Sequence, residues 1–503
     1  MSTPATSAMS THATSAMSTT AAFNGAAAAR IGELLTRTCF AERVEAARRM
    51  GFATYEPWPP VGELDRRPDD LGENLWRLAH LGEVERERFE QPVWEDLCAV
   101  GLAAEDDPAR PDDPARPDGP DHPNRFELTG HAGRFELTAH RGLIAARDRP
   151  REGGRGGVHI GEDSLRFAEA ILAVAARGRA LDVGSGSGIS SCALGRTCEQ
   201  VHAIDVVEAC LDATTLSMGL NCMGEKVCAS LARLDAYEPP VQFDCVVGNL
   251  PGVPVPPGLI YPPDGAGGPD GLQLMRLFLE RCHTSLAAPQ GVVVMRFQSL
   301  GDAHGPLLLP ELRELAARVG WDVSVMTESR IPAAVRAALT AHHALPVNPG
   351  ITPLSMLARA DEHLAELGYE EYYASTLVAR PGAGTVTYNN LSGPTLVGRT
   401  VRLAGGVNRS SVAATVLPAY YGRAHDLPDS FWELGSLAFI TEPAVRAEQV
   451  LECLTTSAAV DEIVQQVFAD HVALDPLRAR FLQVTVELLV LCLVEAGAAR
   501  VCT

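Results

Sequence analysis

Lysine is all but missing from this chain of 503 residues: Lys226 stands alone, and arginine supplies the other cationic side chains. Acids are in excess and the formal net charge is -21. Neutralising a phosphate backbone takes clustered Lys and Arg, so no nucleic-acid partner is expected. Twelve cysteines are scattered without a Cys-x-x-Cys pair, which argues against a zinc site or a disulfide framework and for a reduced, cytoplasmic setting. The opening MSTPATSAMSTHATSAMSTT has neither the cationic start nor the apolar run of a secretory signal. The most apolar segment, Phe481 to Gly497, is broken by Gln483, Glu487 and Glu495. It is too short for a bilayer, so a buried helix and no membrane partner are expected. A Gly-x-x-x-x-Gly-Lys-Ser/Thr phosphate loop is lacking as well.

What is present is concentrated between Arg179 and Asp205, RALDVGSGSGISSCALGRTCEQVHAID. A buried strand, Ala180 to Val183, runs into a turn of alternating glycines, Gly184, Gly186 and Gly188. A helix and a second apolar strand ending in Asp205 follow. Such glycines let the backbone turn tightly and approach a ligand, and an acid about 20 residues on can accept hydrogen bonds from a ribose diol. The spacing is not the Gly-x-Gly-x-x-Gly of dinucleotide sites. Strands and helices keep alternating to Ala379, which predicts an α/β fold with a doubly wound, mostly parallel sheet. Its fourth strand ends at Val247-Gly248-Asn249-Leu250-Pro251-Gly252, where such sheets place their ligand crevice. The Asn249 side-chain carbonyl and the Leu250 backbone carbonyl can accept two N–H hydrogens and so turn a nitrogen lone pair toward an electrophile. Pro251 stiffens that loop.

LDVGSGSG closely resembles the first motif of class I S-adenosylmethionine-dependent methyltransferases. Asn249 and Pro251, with Gly267-Gly268-Pro269-Asp270-Gly271-Leu272, resemble the Asn-Pro-Pro-Tyr and Gly-Gly-x-Asp-Gly-Leu of the release-factor glutamine methyltransferases. The likeness covers Glu162 to Phe297. It implies a Rossmann-like core with S-adenosylmethionine as cofactor, Gly184, Gly186 and Gly188 as its floor, and Asp205 on the ribose. It places Asp235 of ARLDAYEPP at the adenine amino group, the alternative being a surface turn residue. Asp182 is expected to fix the glycine loop or to meet the methionine amine through water. Glu162 either approaches the cofactor from the covering helix or caps that helix. Leu250 and Gly252 depart from the motif, and the lost tyrosine removes an aromatic wall whose space Tyr261 is expected to fill. The reaction implied is N-methylation of an amino-acid-like small molecule or peptide in specialised metabolism. A release-factor-like glutamine methyltransferase and a catalytically degenerate scaffold are the alternatives. The histidines His159, His202, His342 and His343 have no metal-ligand spacing.

Around that core, residues 1–25 repeat ATSAMST and read as disordered. Residues 26–150 read as a small helical, winged-helix-like domain with a flexible DDPARP insertion at 105–124. Its near-duplicate segments RFELTGHAG and RFELTAHRG form the expected two-stranded wing. Residues 151–384 are the expected methyltransferase domain, with Ile331 to Leu367 as a helical insertion near the active-site mouth. Pro381-Gly-Ala-Gly384 marks a boundary, and residues 385–503 read as a C-terminal strand-plus-helix accessory domain. Its last part is faintly similar to the winged-helix domains that bind leader peptides, the alternative being a lid or dimerisation module. A homodimer is expected.

Overall fold

The computed structural model describes residues 25–38, 40–41, 89–105, 130–149, 157–392, 399–405, 416–421, 443–469 and 476–502, with Asn74, Leu75, Leu78, Arg86, Leu396 and Val412 besides. The expected disordered start and the DDPARP insertion fall outside these residues, as does most of the stretch 39–88 on which a winged-helix reading depends. Two helices, α1 (Gly25–Arg37) and α2 (Gln91–Ala99), precede two antiparallel pairs, β1 (Ala103–Glu105) with β2 (Gly130–Ala132) and β3 (Phe135–His140) with β4 (Leu143–Asp148). Among the described residues, the two near-duplicate segments do not pair with each other as the expected wing required. The second copy folds back on β4, and the described end of the first pairs with β1. Arg141 and Gly142, at φ 52° and 70°, supply the two left-handed residues of a tight hairpin turn, which decides the pairing locally.

The core opens with α3 (Glu162–Val174) and then alternates. It continues through β5 (Arg179–Val183), α4 (Ile189–Gly195), β6 (Gln200–Asp205), α5 (Glu208–Leu220), β7 (Val227–Leu231), β8 (Phe243–Asn249), α6 (Gln273–Arg281), β9 (Ala287–Asp302), α7 (Leu308–Val319) and β10 (Trp321–Pro332). Helices α8 (Ala333–Ala344) and α9 (Pro353–Leu367) precede β11 (Glu371–Pro381) and β12 (Val386–Asn390). The strands form a nine-stranded sheet in the order β12-β10-β11-β9-β8-β5-β6-β7, with the short strand Gly305–Pro306 attached to β9. Strands β5 to β9 run parallel, while β11 runs against both of its neighbours. Alternate residues feed two cores. Leu181, Val246 and Met295 meet Phe278 and Leu312 on one face, and Ala180, Cys245 and Val247 meet Phe167 and Met218 on the other.

This is the doubly wound, mostly parallel α/β core expected from the alternation. The sheet runs past Gly384, however. Val386–Asn390 lies parallel to Val323–Thr327 of β10, so the expected boundary falls inside the sheet. The Asp322 carboxylate accepts from the amides of Ala383 and Thr385 at 3.0 and 3.1 Å, and that grip returns the chain to the sheet edge.

Helix α5 is the element on which the N-terminal segment rests. A Cβ added at Gly32 would stand 2.4 Å from the Leu220 carbonyl oxygen, and one at Gly219 would stand 2.6 Å from Ala28 Cβ. The two helices thus touch backbone to backbone. β4 is fastened to the same helix: the Ala146 amide donates to Ser217 Oγ at 2.9 Å, and Asn221 brackets Ile144 through its amide and its carbonyl. On the other side, Val335, Leu339 and Leu364 of α8 and α9 share one buried cluster with the C-terminal helices α10 (Ala447–Cys453), α11 (Val460–Val467) and α12 (Pro476–Glu495). Arg330 crosses that junction, its guanidinium 3.0 Å from Glu371 and 3.2 Å from Glu487. Lys226 Nζ donates to the carbonyls of Gly195 and Cys198 at 2.7 and 3.2 Å and closes the end of α4. No described helix is long and apolar enough to cross a membrane, and no described group of His, Cys, Asp and Glu could hold a metal ion.

Candidate functional site

The strand order reverses between β5 and β8, and the loops leaving their carboxyl ends start side by side, since Val183 pairs with Gly248. Leu250 spans the gap, its Cδ2 3.2 Å from where a Cβ on Gly184 would be.

The glycine turn is pinned to the end of β6, where the amides of Gly184 and Ser185 donate to the Ile204 carbonyl at 2.8 and 3.2 Å. Gly186 holds φ 52° with nothing within 4 Å of an added Cβ, which leaves an open cradle beside the backbone. At Gly188 the opposite holds: Thr214 Cα lies 2.6 Å from that point, so the approach of α5 excludes any side chain. Hydroxyls from α5 hold the turn, Thr214 Oγ1 donating to Ser185 Oγ at 2.9 Å and Ser217 Oγ to the Ser187 carbonyl at 2.7 Å.

Asp182 is enclosed beneath the turn. Its Oδ2 accepts from the hydroxyls of Ser190 and Ser191, both at 2.6 Å, while Oδ1 has no partner among the described residues. Burial pushes its pKa up to about 6 against the pull of the two serines, and the charge of Asp205 adds to the rise. Asp205, 8% exposed, accepts from the Gly186 amide at 3.0 Å on Oδ2 and from the Val207 amide at 2.9 Å on Oδ1. Each oxygen keeps a second lone pair for a ligand hydroxyl. An open cradle, a carboxylate beside it with spare acceptor capacity and an enclosed oxygen without a partner fit a cofactor that presents a diol and hydrogen-bond donors.

On the β8 side, Asn249 Nδ2 donates to Asp163 Oδ2 at 2.8 Å. That contact faces the amide nitrogen toward the first turn of α3 and leaves the carbonyl oxygen available. Asp163 reads in the sequence only as a helix-start residue, and a partner 86 residues away leaves no local signal. Gly252 is explained by crowding. A side chain there would meet Met275 Cε at 2.6 Å, and a Cβ on Gly267 or Gly271 would fall 2.8 Å from the Gly252 Cα or 2.5 Å from its carbonyl oxygen. A side chain at Gly252 would have to displace the end of Met275 and would press on the Gln298 carbonyl oxygen, 3.2 Å from its Cβ.

Tyr261 is buried against α8, its hydroxyl 3.0 Å from His343 Nδ1 and 3.5 Å from Arg336 Nη2. With Val253, Ala341, Ala344 and Met356 it forms a small core that sets α8 and α9 against the acceptor loop. Glu162 faces Arg166 one turn along α3 at 3.5 Å. Asp235 is exposed in the turn after β7 and pairs with Arg233 at 2.9 Å.

No family model matches the chain, and no curated protein matches it. Similar solved structures include Trm5b from Pyrococcus abyssi (16% identity, 51% of this chain and 61% of that one, TM-score 0.30) and a tRNA methyltransferase from M. jannaschii (12%, 51% and 59%, TM-score 0.30). Another is a phosphoethanolamine N-methyltransferase from Haemonchus contortus in complex with S-adenosylhomocysteine (14%, 45% and 55%, TM-score 0.29). The chain spans less than two thirds of the length of each of these proteins.

Proposed function

We propose that the chain is a class I S-adenosylmethionine-dependent N-methyltransferase acting on a nitrogen of an amino-acid-like small molecule or peptide. The observation that carries this reading is the pairing at the point of strand reversal. A glycine cradle with Asp205 and Asp182 stands on β5 and β6, and Asn249, its carbonyl oxygen available, stands one strand away. Bound over Gly186, the cofactor supplies an electrophilic methyl group on a sulfonium.

The chain's own part is alignment. Asp205 accepts from the ribose hydroxyls, and Asp182 Oδ1 faces a donor from below. Asn249 Oδ1 and the Leu250 carbonyl accept two N–H hydrogens of the acceptor and so aim its lone pair, while Pro251 limits the loop's motion. Asp163 acts through Asn249 as a positioning residue. An oxygen or carbon acceptor would more often call for a general base. The loop 249–252 contains no His or carboxylate, and Asp163 already accepts from the Asn249 amide. Gly252 supplies no aromatic wall for the flat pocket of a glutamine acceptor.

Calorimetry with S-adenosylhomocysteine tests the cofactor half. Asp205→Ala should weaken binding about ten- to a hundredfold, the value of hydrogen bonds to a charged group. No binding to the intact protein would sink the reading. Asn249→Ala and Asp163→Ala should lower methyl transfer at unchanged cofactor affinity. Full activity in Asn249→Ala would remove the argument for nitrogen.

A further inference from the structure

Arg296 of β9, Arg330 of β10 and Arg336 of α8 are buried arginine side chains, and two of them have carboxylates. Arg296 pairs with Glu328, and Arg330 pairs with Glu371 and Glu487. Arg336 is 4% exposed, and among the described residues no carboxylate oxygen lies within 4.0 Å of its guanidinium. Its neighbours are neutral. Nε donates to Thr340 Oγ1 at 3.2 Å, Nη2 is 3.5 Å from the Tyr261 hydroxyl, and the guanidinium carbon stands 5.4 Å from the centroid of the Tyr372 ring. The Tyr372 hydroxyl is a further neutral hydrogen-bonding neighbour of this guanidinium.

These contacts fix the direction of the guanidinium without neutralising it. A buried cation without a counter-charge is unfavourable, and the planar fork of arginine matches the two oxygens of a carboxylate. Its place in the fold says whose carboxylate that is. The Tyr372 hydroxyl is 3.1 Å from the Gly252 carbonyl oxygen, three residues past Asn249. The charges of Arg336 and of Asp163, which holds Asn249, are both felt at the Tyr372 phenol. Arg336 therefore stands one side chain behind the acceptor loop, on its α8 side.

We propose that Arg336 receives a carboxylate of the methyl acceptor, which makes the acceptor an amino acid or amino-acid-like acid whose nitrogen meets Asn249. This rests on the methyltransferase reading of the site. It is tested by titrating sodium acetate, acetamide and inorganic phosphate, at constant ionic strength, into the full chain in the presence of S-adenosylhomocysteine and following the melting temperature. Acetate should raise the midpoint saturably and acetamide should not. Arg336→Gln should weaken the apparent acetate affinity about tenfold or more, while Arg336→Lys, which keeps the charge but not the fork, retains part of the response. An acetate response no larger than that of acetamide, or one that Arg336→Gln keeps in full, overturns the proposal. A tighter response to phosphate than to acetate overturns the assignment to a carboxylate. Should Arg336→Gln fail to fold, the acetate and acetamide pair on the unaltered chain, with Arg336→Lys, decides the matter. Calorimetry with S-adenosylhomocysteine on the same samples separates the failures. Loss of that binding defeats the methyltransferase reading, whereas binding without an acetate response defeats only the role of Arg336.

Discussion

Asp182 ionises under conditions that work against the fold. Its pKa, raised to about 6 by burial, lies above that of the unfolded chain, so the folded protein binds more protons than the unfolded one between about pH 4 and pH 6. Stability therefore falls as pH rises through that window, by about 3 kcal/mol in full. Asp182→Asn keeps an acceptor for Ser190 and Ser191 without the charge. Urea unfolding at pH 4 and at pH 7 should show the variant gaining on the parent by up to about 3 kcal/mol across the window. An unchanging difference would show that Asp182 titrates alike in both states. A carboxylate retained at such a cost beneath an open cradle is what a binding site, rather than an ordinary turn, calls for. The glycines and acids of this turn are legible in the sequence because their spacing is local. The hydroxyls of Thr214 and Ser217, which hold the turn from α5, are not, since serine and threonine in a helix carry no mark of what they face.

Helix α1 sets two effects against each other at Gly32. In an isolated helix Gly32→Ala would stabilise by up to about 1 kcal/mol. Here the added Cβ would stand 2.4 Å from the Leu220 carbonyl oxygen, a backbone atom that cannot swing aside. Overpacking of this kind costs about 1–3 kcal/mol, so the variant should melt lower than the parent. A higher melting temperature would mean that α1 and α5 do not touch at this point. The same distinction between local and distant causes separates the elements that pattern reveals from those it does not. Alternation of apolar strands and helices marks out the core from α3 to β10. The hairpin is decided by a two-residue turn, which the likeness of its first strand to the segment before it obscures. Strand β12 lies beyond a Pro-Gly turn that looks like a boundary, and the carboxylate of Asp322, reaching across to 383 and 385, helps return it to the sheet. Asp163 and Arg336 belong to helices whose patterns announce burial alone, so the contacts of Asp163 with Asn249 and of Arg336 with Tyr261 leave no mark in the sequence.

At the scale of the whole molecule, Arg330 reaches across a buried junction between the sheet and the C-terminal helices. Its side chain and those of Glu371 and Glu487 are 5%, 3% and 8% exposed, and Glu487 Oε1 also accepts from the Leu396 amide at 2.9 Å. Glu487→Ala takes away one counter-charge and leaves that amide unanswered, a loss of about 3 kcal/mol or more. Because the apolar cluster of α8 and α9 continues into α10 to α12, the whole melting transition should shift downward as one step. Two steps with only the first displaced would show that the C-terminal helices unfold on their own. Lys226 has a different kind of consequence. It is the only amine among the side chains, and two carbonyls hold it at the end of α4, the helix that leaves the glycine turn. A reagent that captures amines thus has one side-chain address on this protein, and the rate of that capture is a chemical gauge, placed by the chain itself, of how firmly the floor of the site is seated.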